Sequence, residues 1–133
     1  MKKEKDILYL PNGMKWRKVS FKDGKEDGLW TQWYDNGEKR KDVNFKAGRK
    51  DGLSIYWYKN GEKSRQKNYK KGKLEGLFIK WHKNGEKKLE GNYKGGSKIG
   101  LWTEWWHNGL KRKELIYVDG KVIYTKESKK EFD

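Results

Sequence analysis

A stretch of 24 residues recurs along this chain without insertion or deletion, and this fixed period constrains the fold more than any other feature. The clearest copy begins at Gly28 and returns at Gly52, Gly76 and Gly100. An earlier copy has Glu4 in place of the leading glycine. A period of this size indicates an array of stacked structural repeats. We therefore assign residues 1–133 to one repeat domain, with units at 4–27, 28–51, 52–75, 76–99 and 100–123 and a polar, loose or capping tail at 124–133.

Each unit has the pattern of two short strands joined by tight turns. The segment LWTQWY after Gly28 is rich in aromatic and β-branched residues, and Asn36-Gly37 follows it. Asn-Gly is the strongest short hairpin signal, because glycine adopts a positive φ without penalty. No apolar 3.6-residue period persists beyond one turn. The prediction is an all-β fold: an elongated single antiparallel sheet of about ten strands from five β-hairpin repeats.

The register of each hairpin depends on the length of its loop. A two-residue loop places Trp30 opposite Val43, whereas a three-residue loop places Leu29 opposite Val43 and Trp33 opposite Lys39. We prefer the three-residue loop, because it puts the most uniform apolar columns on one face and a one-residue slip would turn every side chain over. In this register Val19, Val43 and Leu115 lie across from the Leu, Thr/Ile and Trp columns.

The spacing of aromatic residues and glycines resembles a known repeat. Phe45, Gly48, Gly52-Leu53, an aromatic pair and Asn60-Gly61 follow the order of the MORN repeat, and most closely its bacterial variant, over roughly residues 9–120. Ser54 in an aromatic position and Gly91 within a strand depart from it. The resemblance implies a strip of antiparallel hairpins. It also implies similarity to bacterial YwqK-type antitoxin-like proteins, which would neutralise a toxin by covering it.

Composition narrows the function classes. The chain has 34 Lys and Arg against 19 Asp and Glu, a formal net charge of +15, and no cysteine. Such a charge favours an anionic partner or serves only solubility. The N-terminus lacks the apolar segment of a signal peptide, so we expect a cytoplasmic protein, although a signal that had been removed would leave no trace. We expect no enzymatic activity, cofactor, metal or small-molecule substrate, because His82 and His107 occupy different repeat columns and no serine has a base beside it.

Two sets of side chains are candidates for binding. The aromatic set would form a trough along the sheet, and its members are Trp33, Tyr34, Trp57, Tyr58, Trp81, Trp105 and Trp106. The basic set follows the Asn-Gly turns in two columns, which we expect on the same face as parallel cationic rows: Lys15, Lys39, Lys63, Lys87 and Lys111, then Arg17, Lys41, Arg65 and Lys113. These rows would hold an extended anion, or their stems would simply cover indole rings in solvent.

Three hypotheses about function follow. The first is a non-enzymatic scaffold for protein–protein interaction, antitoxin- or immunity-like. The second is binding of an anionic polymer such as nucleic acid, or of an acidic lipid surface, through the basic rows. The third is a structural homodimer, since the apolar surface of a single sheet should exceed the usual patch on a monomer.

Overall fold

A single open antiparallel sheet makes up the molecule. The computed structural model describes residues 3–128, and all regular structure within that range is β-strand. Thirteen strands are present: β1 Lys3–Tyr9, β2 Lys15–Lys22, β3 Lys25–Glu26, β4 Gly28–Trp33, β5 Lys39–Lys46, β6 Arg49–Trp57, β7 Lys63–Lys70, β8 Lys73–Leu74, β9 Gly76–Trp81, β10 Lys87–Lys94, β11 Ser97–Trp105, β12 Lys111–Val118 and β13 Lys121–Glu127.

The strands lie side by side in chain order, as the hairpin-repeat prediction requires. The sheet runs β1-β2-β4-β5-β6-β7-β9-β10-β11-β12-β13, with β3 paired to β2 and β8 paired to β7. Single residues, Asp27 and Glu75, separate β3 from β4 and β8 from β9. The predicted all-β single sheet is confirmed, with eleven strand positions instead of ten.

The extra position is β13, which falls partly in the predicted tail. Its residues Tyr124 and Thr125 pair with Ile116 and Leu115 of β12, so the chain is ordered as an edge strand as far as Glu127. Of the two alternatives for the tail, loose or capping, the ordered edge strand agrees with a cap for residues 124–127, which begin a sixth copy of the first strand. The sequence also predicts that lysines of the terminal strand, Lys121, Lys126, Lys129 and Lys130, protect this open edge against stray pairing; Lys129 and Lys130 lie outside the described residues.

The Asn-Gly turns close three-residue loops. In the second unit the amide of Gly37 donates to the carbonyl of Tyr34 at 3.1 Å, and the amide of Tyr34 donates to the carbonyl of Glu38 at 2.8 Å. Gly37 has φ 86°, which glycine alone adopts without strain. The predicted loop length is therefore confirmed. The other turns, such as Ala47-Gly48 with φ of 49° and 85°, have the positive φ values of a two-residue type I′ hairpin.

A β-bulge next to each Asn-Gly turn makes the predicted register wrong over most of the hairpin. Trp33 pairs with Lys39 as expected, but Gln32 then pairs with Lys41, so the extra residue Arg40 has no partner and Trp30 lies opposite Val43. The same shift recurs at residues 16, 64, 88 and 112. A bulge inserts one residue and so changes which side chains share a face.

The bulge defines the two faces of the sheet. The Trp30 face carries the column Trp30, Ser54, Phe78 and Trp102, and the column Val19, Val43, Lys67, Gly91 and Leu115 is paired with it. The Trp33 face carries the columns of Leu29, Thr31 and Trp33. Val19, Val43 and Leu115 thus lie on the face opposite to the one predicted. The buried apolar side chains come from both faces: Val19, Val43, Phe78 and Trp102 from the first, and Ile79 from the second.

Candidate functional surfaces

Lysines and tryptophans alternate across the Trp33 face. Lys15 Nζ lies 5.8 Å from the ring centroid of Trp33, Lys39 Nζ lies 5.8 Å from that of Trp57, and Lys63 Nζ lies 5.8 Å from that of Trp81. Each lysine therefore contacts the tryptophan of the following unit, in a cation–π interaction that contributes about 0.5–1 kcal/mol. This geometry agrees with the interpretation in which lysine side chains cover the indole rings.

Carboxylates pair with three of the five lysines in this column, Lys39, Lys87 and Lys111. Lys39 Nζ forms an ion pair with Asp42 at 3.1 Å, and the other oxygen of Asp42 accepts a 2.7 Å hydrogen bond from the hydroxyl of Thr31. Lys87 pairs with Glu90 in the same way, and Lys111 lies 3.8 Å from Glu114. Three of the five lysines of this column are thus paired on their own face, whereas Lys15 and Lys63 form no ion pair within residues 3–128.

Apolar side chains beside this stripe are left open to solvent. Leu29 is 41% exposed and Leu101 is 50% exposed, and Trp33, Trp57, Trp81 and Trp105 are half-buried. Trp33 on β4 and Trp105 on β11 are six strand positions apart, which corresponds to about 29 Å. The Trp33 face is therefore a long surface that mixes apolar side chains with lysines, three of which are paired with carboxylates.

The aromatic residues that precede the Asn-Gly turns connect one unit to the next. The hydroxyls of Tyr34 and Tyr58 donate to the carbonyls of Trp57 and Trp81, each at 2.6 Å. His82 occupies the same column, and its Nε2 lies 3.0 Å from the carbonyl of Trp105. The predicted binding residues Tyr34 and Tyr58 thus have a structural role at the turns. Trp106, in the same column, lies under the guanidinium of Arg112 at 4.6 Å.

The two predicted basic rows lie on opposite faces. Lys39 pairs with Trp33 and Lys41 pairs with Gln32, and these neighbours in β4 point to opposite sides. The same holds for Lys63 and Arg65, and for Lys111 and Lys113. The expectation of two parallel cationic rows on one face is therefore wrong. The extra bulge residue between the two columns places the second column on the opposite face of the sheet.

Two aromatic clusters occupy the ends of the Trp30 face. At one end, the rings of Phe21 and Phe45 lie 5.4 and 5.1 Å from that of Trp30. At the other, Trp102 is 2% exposed, and Tyr93 and Tyr117 lie 5.0 and 6.2 Å from it.

The two tryptophans are fixed in equivalent ways. The indole nitrogens of Trp30 and Trp102 donate to the carbonyls of Ser20 and Asn92 at 2.9 and 3.2 Å. In both, the acceptor lies ten residues earlier in the chain. The two clusters are thus the same arrangement, three units apart.

A group of cations fills the centre of the Trp30 face between these clusters. Ser54 stands in the tryptophan column here, and Tyr56 two residues on is contacted by Arg65 at 4.5 Å and Lys67 at 5.6 Å. The ammonium group of Lys50 lies 5.2 Å from the ring of Tyr69. We call this group the central basic patch, and its members are Arg17, Lys41, Lys50, Arg65, Lys67 and Lys80.

Electrostatics in the patch are unfavourable. Burial lowers the pKa of Lys41, and the nearby cations Arg40, Lys50 and Arg17 lower it further. Burial likewise lowers the pKa of Lys67, with added repulsion from Arg65, Lys50 and Lys80. Three patch members, Lys50, Lys67 and Lys80, were not among the predicted site residues. If the alternation of side chains between the two faces is counted from the residue that follows the bulge, these lysines fall on this face.

The residues from 3 to 128 contain no group of His, Asp or Glu side chains arranged to hold a metal ion. No helix long and apolar enough to cross a membrane occurs in that range.

An open sheet of equal hairpin units, with two long surfaces and inter-unit turn contacts, defines a repeat scaffold. The MORN repeat variant family matches three consecutive units, at residues 26–47, 50–71 and 74–94, which are therefore similar to that repeat. The predicted resemblance to the MORN repeat is confirmed over these ranges, which recur with the same 24-residue period, and the resemblance to the bacterial YwqK-type proteins stays a prediction. No curated protein matches the chain.

Proposed function

We propose that this protein is a non-enzymatic scaffold that binds a partner protein through the Trp33 face. MORN repeats are commonly scaffolds that bind proteins or membranes. The observation that favours a protein is the stripe of half-buried tryptophans flanked by exposed leucines. Interface cores are depleted in charge and enriched in aromatic residues, and tryptophan is over-represented among residues that dominate binding energy.

Ion pairs reduce the charge beside part of the tryptophan stripe. Lys39, Lys87 and Lys111 are paired with carboxylates on the same face, which leaves less free charge there to attract an anion. Contiguous exposed apolar side chains commonly mark interaction sites. The partner we expect presents its own apolar ridge to the tryptophan stripe.

A more specific version of this proposal is that the protein has an antitoxin-like or immunity-like role. A protein of net charge +15 would be repelled by a basic target and attracted by an acidic one, because complementary potentials speed association. We therefore expect the target to be acidic, which favours a toxin other than a basic nuclease.

The test is capture of partners from the native lysate, treated with nuclease, on immobilised protein. Leu29→Glu with Leu101→Glu places two charges in the apolar stripe, and this variant should lose at least about tenfold of the captured protein, because a buried unpaired charge costs several kcal/mol. The matched control is Leu110→Glu in a turn, where the leucine is 47% exposed. Equal losses in both variants would contradict the proposal.

Sedimentation of the purified chain separates a foreign partner from a second copy. The proposal expects a monomer. A stable dimer that Leu29→Glu with Leu101→Glu dissociates would assign the Trp33 face to self-association instead, as in the homodimer hypothesis.

A further inference from the structure

The central basic patch carries charge that nothing on its own face compensates. Between Glu26 on β3 and Glu104 on β11, the described positions of the Trp30 face hold no carboxylate. None of the six cations of the patch forms an ion pair within residues 3–128. Folding thus gathers six positive charges at a cost, which the lowered pKa values of Lys41 and Lys67 reflect. An anion bound there would offset it.

A cleft at one side of the patch can accept a flat ring. Its volume is about 160 Å³, and apolar walls from Trp30, Val43 and Phe45 meet the cations Arg17, Lys41 and Lys50 there. Gln32 and Tyr56 also line it, and supply polar groups. A cavity of about 150 Å³ holds a benzene ring, so the cleft suits a single aromatic base with an adjoining phosphate.

The patch extends well beyond that cleft. From Arg17 on β2 to Lys80 on β9 the cations cross six neighbouring strand positions, β2, β4, β5, β6, β7 and β9. Five spacings of ~4.8 Å make about 24 Å, which exceeds the reach of a mononucleotide. A ligand that also contacted Arg65, Lys67 and Lys80 would therefore need further phosphates.

We propose that the central basic patch binds single-stranded nucleic acid, with one unpaired base in the cleft and about four phosphates along the cations from Arg17 to Lys80. Aromatic side chains beside a cationic groove are how proteins hold single strands without reading sequence. This activity lies on the face opposite to the proposed protein-binding stripe, so each can fail without the other.

The first experiment measures fluorescence anisotropy with fluorescein-labelled oligomers of eight deoxythymidines or eight uridines. About four phosphate contacts predict a slope of log affinity against log salt near −3, and an affinity that falls about 60-fold between about 50 and 200 mM salt. Lys41→Gln with Lys67→Gln should weaken binding by about tenfold and reduce the slope by about 1.4. Circular dichroism of each variant confirms that it is folded.

Lys39→Gln with Lys63→Gln is the matched control, because it removes the same charge from the same two strands, β5 and β7, on the opposite face. This control should leave the slope unchanged. If it weakens binding as much as the patch variant does, the oligomer senses only net charge and the proposal is overturned.

Two further probes test the ligand class. An abasic oligomer of equal charge should bind about tenfold more weakly, because each stacked base contributes on the order of tenfold or more. Equal binding of the two oligomers would show that no base occupies the cleft, which contradicts the proposal. Vesicles of phosphatidylcholine with phosphatidylserine should compete poorly with the oligomers. Preferential binding to these vesicles, with no oligomer binding at low salt, would assign the patch to a lipid surface and overturn the proposal.

Discussion

The units that contain Ser54 and Trp102 share a backbone but differ in what holds the Trp30 face together. Around Trp102 four rings pack on one another, and Gly91 beneath the indole leaves room for it, since a Cβ on Gly91 would lie 2.1 Å from an indole carbon. At Ser54 no ring occupies the tryptophan column, and Lys67, which is paired with Ser54, lies 5.6 Å from the ring of Tyr56. The difference shows that the repeat needs its turns and bulges in every unit, whereas its packing can be concentrated in some units and given up in others.

Removal of Trp102 should have the largest effect on the free energy of unfolding, because its indole is the large side chain buried at the centre of its unit. Trp102→Ser reproduces the residue of the other unit and should destabilise the protein by about 4 kcal/mol, through lost burial and the cavity left behind. Urea denaturation followed by circular dichroism measures this. Ser54→Ala is the control and should be neutral or slightly stabilising, because the Ser54 hydroxyl is buried without a hydrogen-bond partner in the described residues. A loss below about 1 kcal/mol for Trp102→Ser would contradict the comparison.

Addition of one methyl group at Gly91 should have the next largest effect. Gly91→Ala forces the indole of Trp102 out of its position and should cost about 2–3 kcal/mol, which is typical of an overpacked core. The φ of Gly91 is not positive, so the cost arises from contact and not from backbone strain. Lys67→Ala, one unit earlier in the same column, is the matched control. Comparable melting temperatures for the two variants would show that the ring does not rest on Gly91.

Replacement of Lys67 by the valine of its column, as at Val19 and Val43, should raise stability slightly. Burial and neighbouring cations lower the pKa of Lys67 in the folded state. Folding therefore disfavours the charged form, and stability rises with pH between the folded and unfolded pKa values. Lys67→Val should thus gain about 0.5 kcal/mol at neutral pH, and the gain should shrink as alkaline pH neutralises Lys67 in the parent.

The check is thermal melting of Lys67→Val and of the parent at neutral pH and near pH 10. Lys63→Val, on the Trp33 face, is the control, and we expect it to give no increase in stability that depends on pH. A gain at Lys67 that stays constant with pH would mean that it comes from packing and not from the buried charge.

The sequence was sufficient for the period, the hairpins, the three-residue loops and the single sheet, since these depend on local turn chemistry such as Asn36-Gly37. It did not predict the bulge, because the unpaired position is Trp16, Arg40, Ser64, Lys88 or Arg112 and so carries no characteristic residue. The central basic patch was missed for the same reason. Its members share a face only after the register has shifted.

The turns also explain why the second, third and fourth units carry asparagine and not aspartate before the glycine. The side-chain oxygen of Asn60 accepts a hydrogen bond from the amide of Glu62, while its amino group donates to the carbonyl of Lys83 in the next turn. Asn36 and Asn84 make equivalent bonds to Lys59 and His107. Each of these hydrogen bonds thus joins a unit only to the next one. Deletion or duplication of one whole 24-residue unit therefore leaves matching donors and acceptors at the new junction. The length of the ribbon can consequently change during evolution in discrete steps, while each surviving joint stays chemically the same.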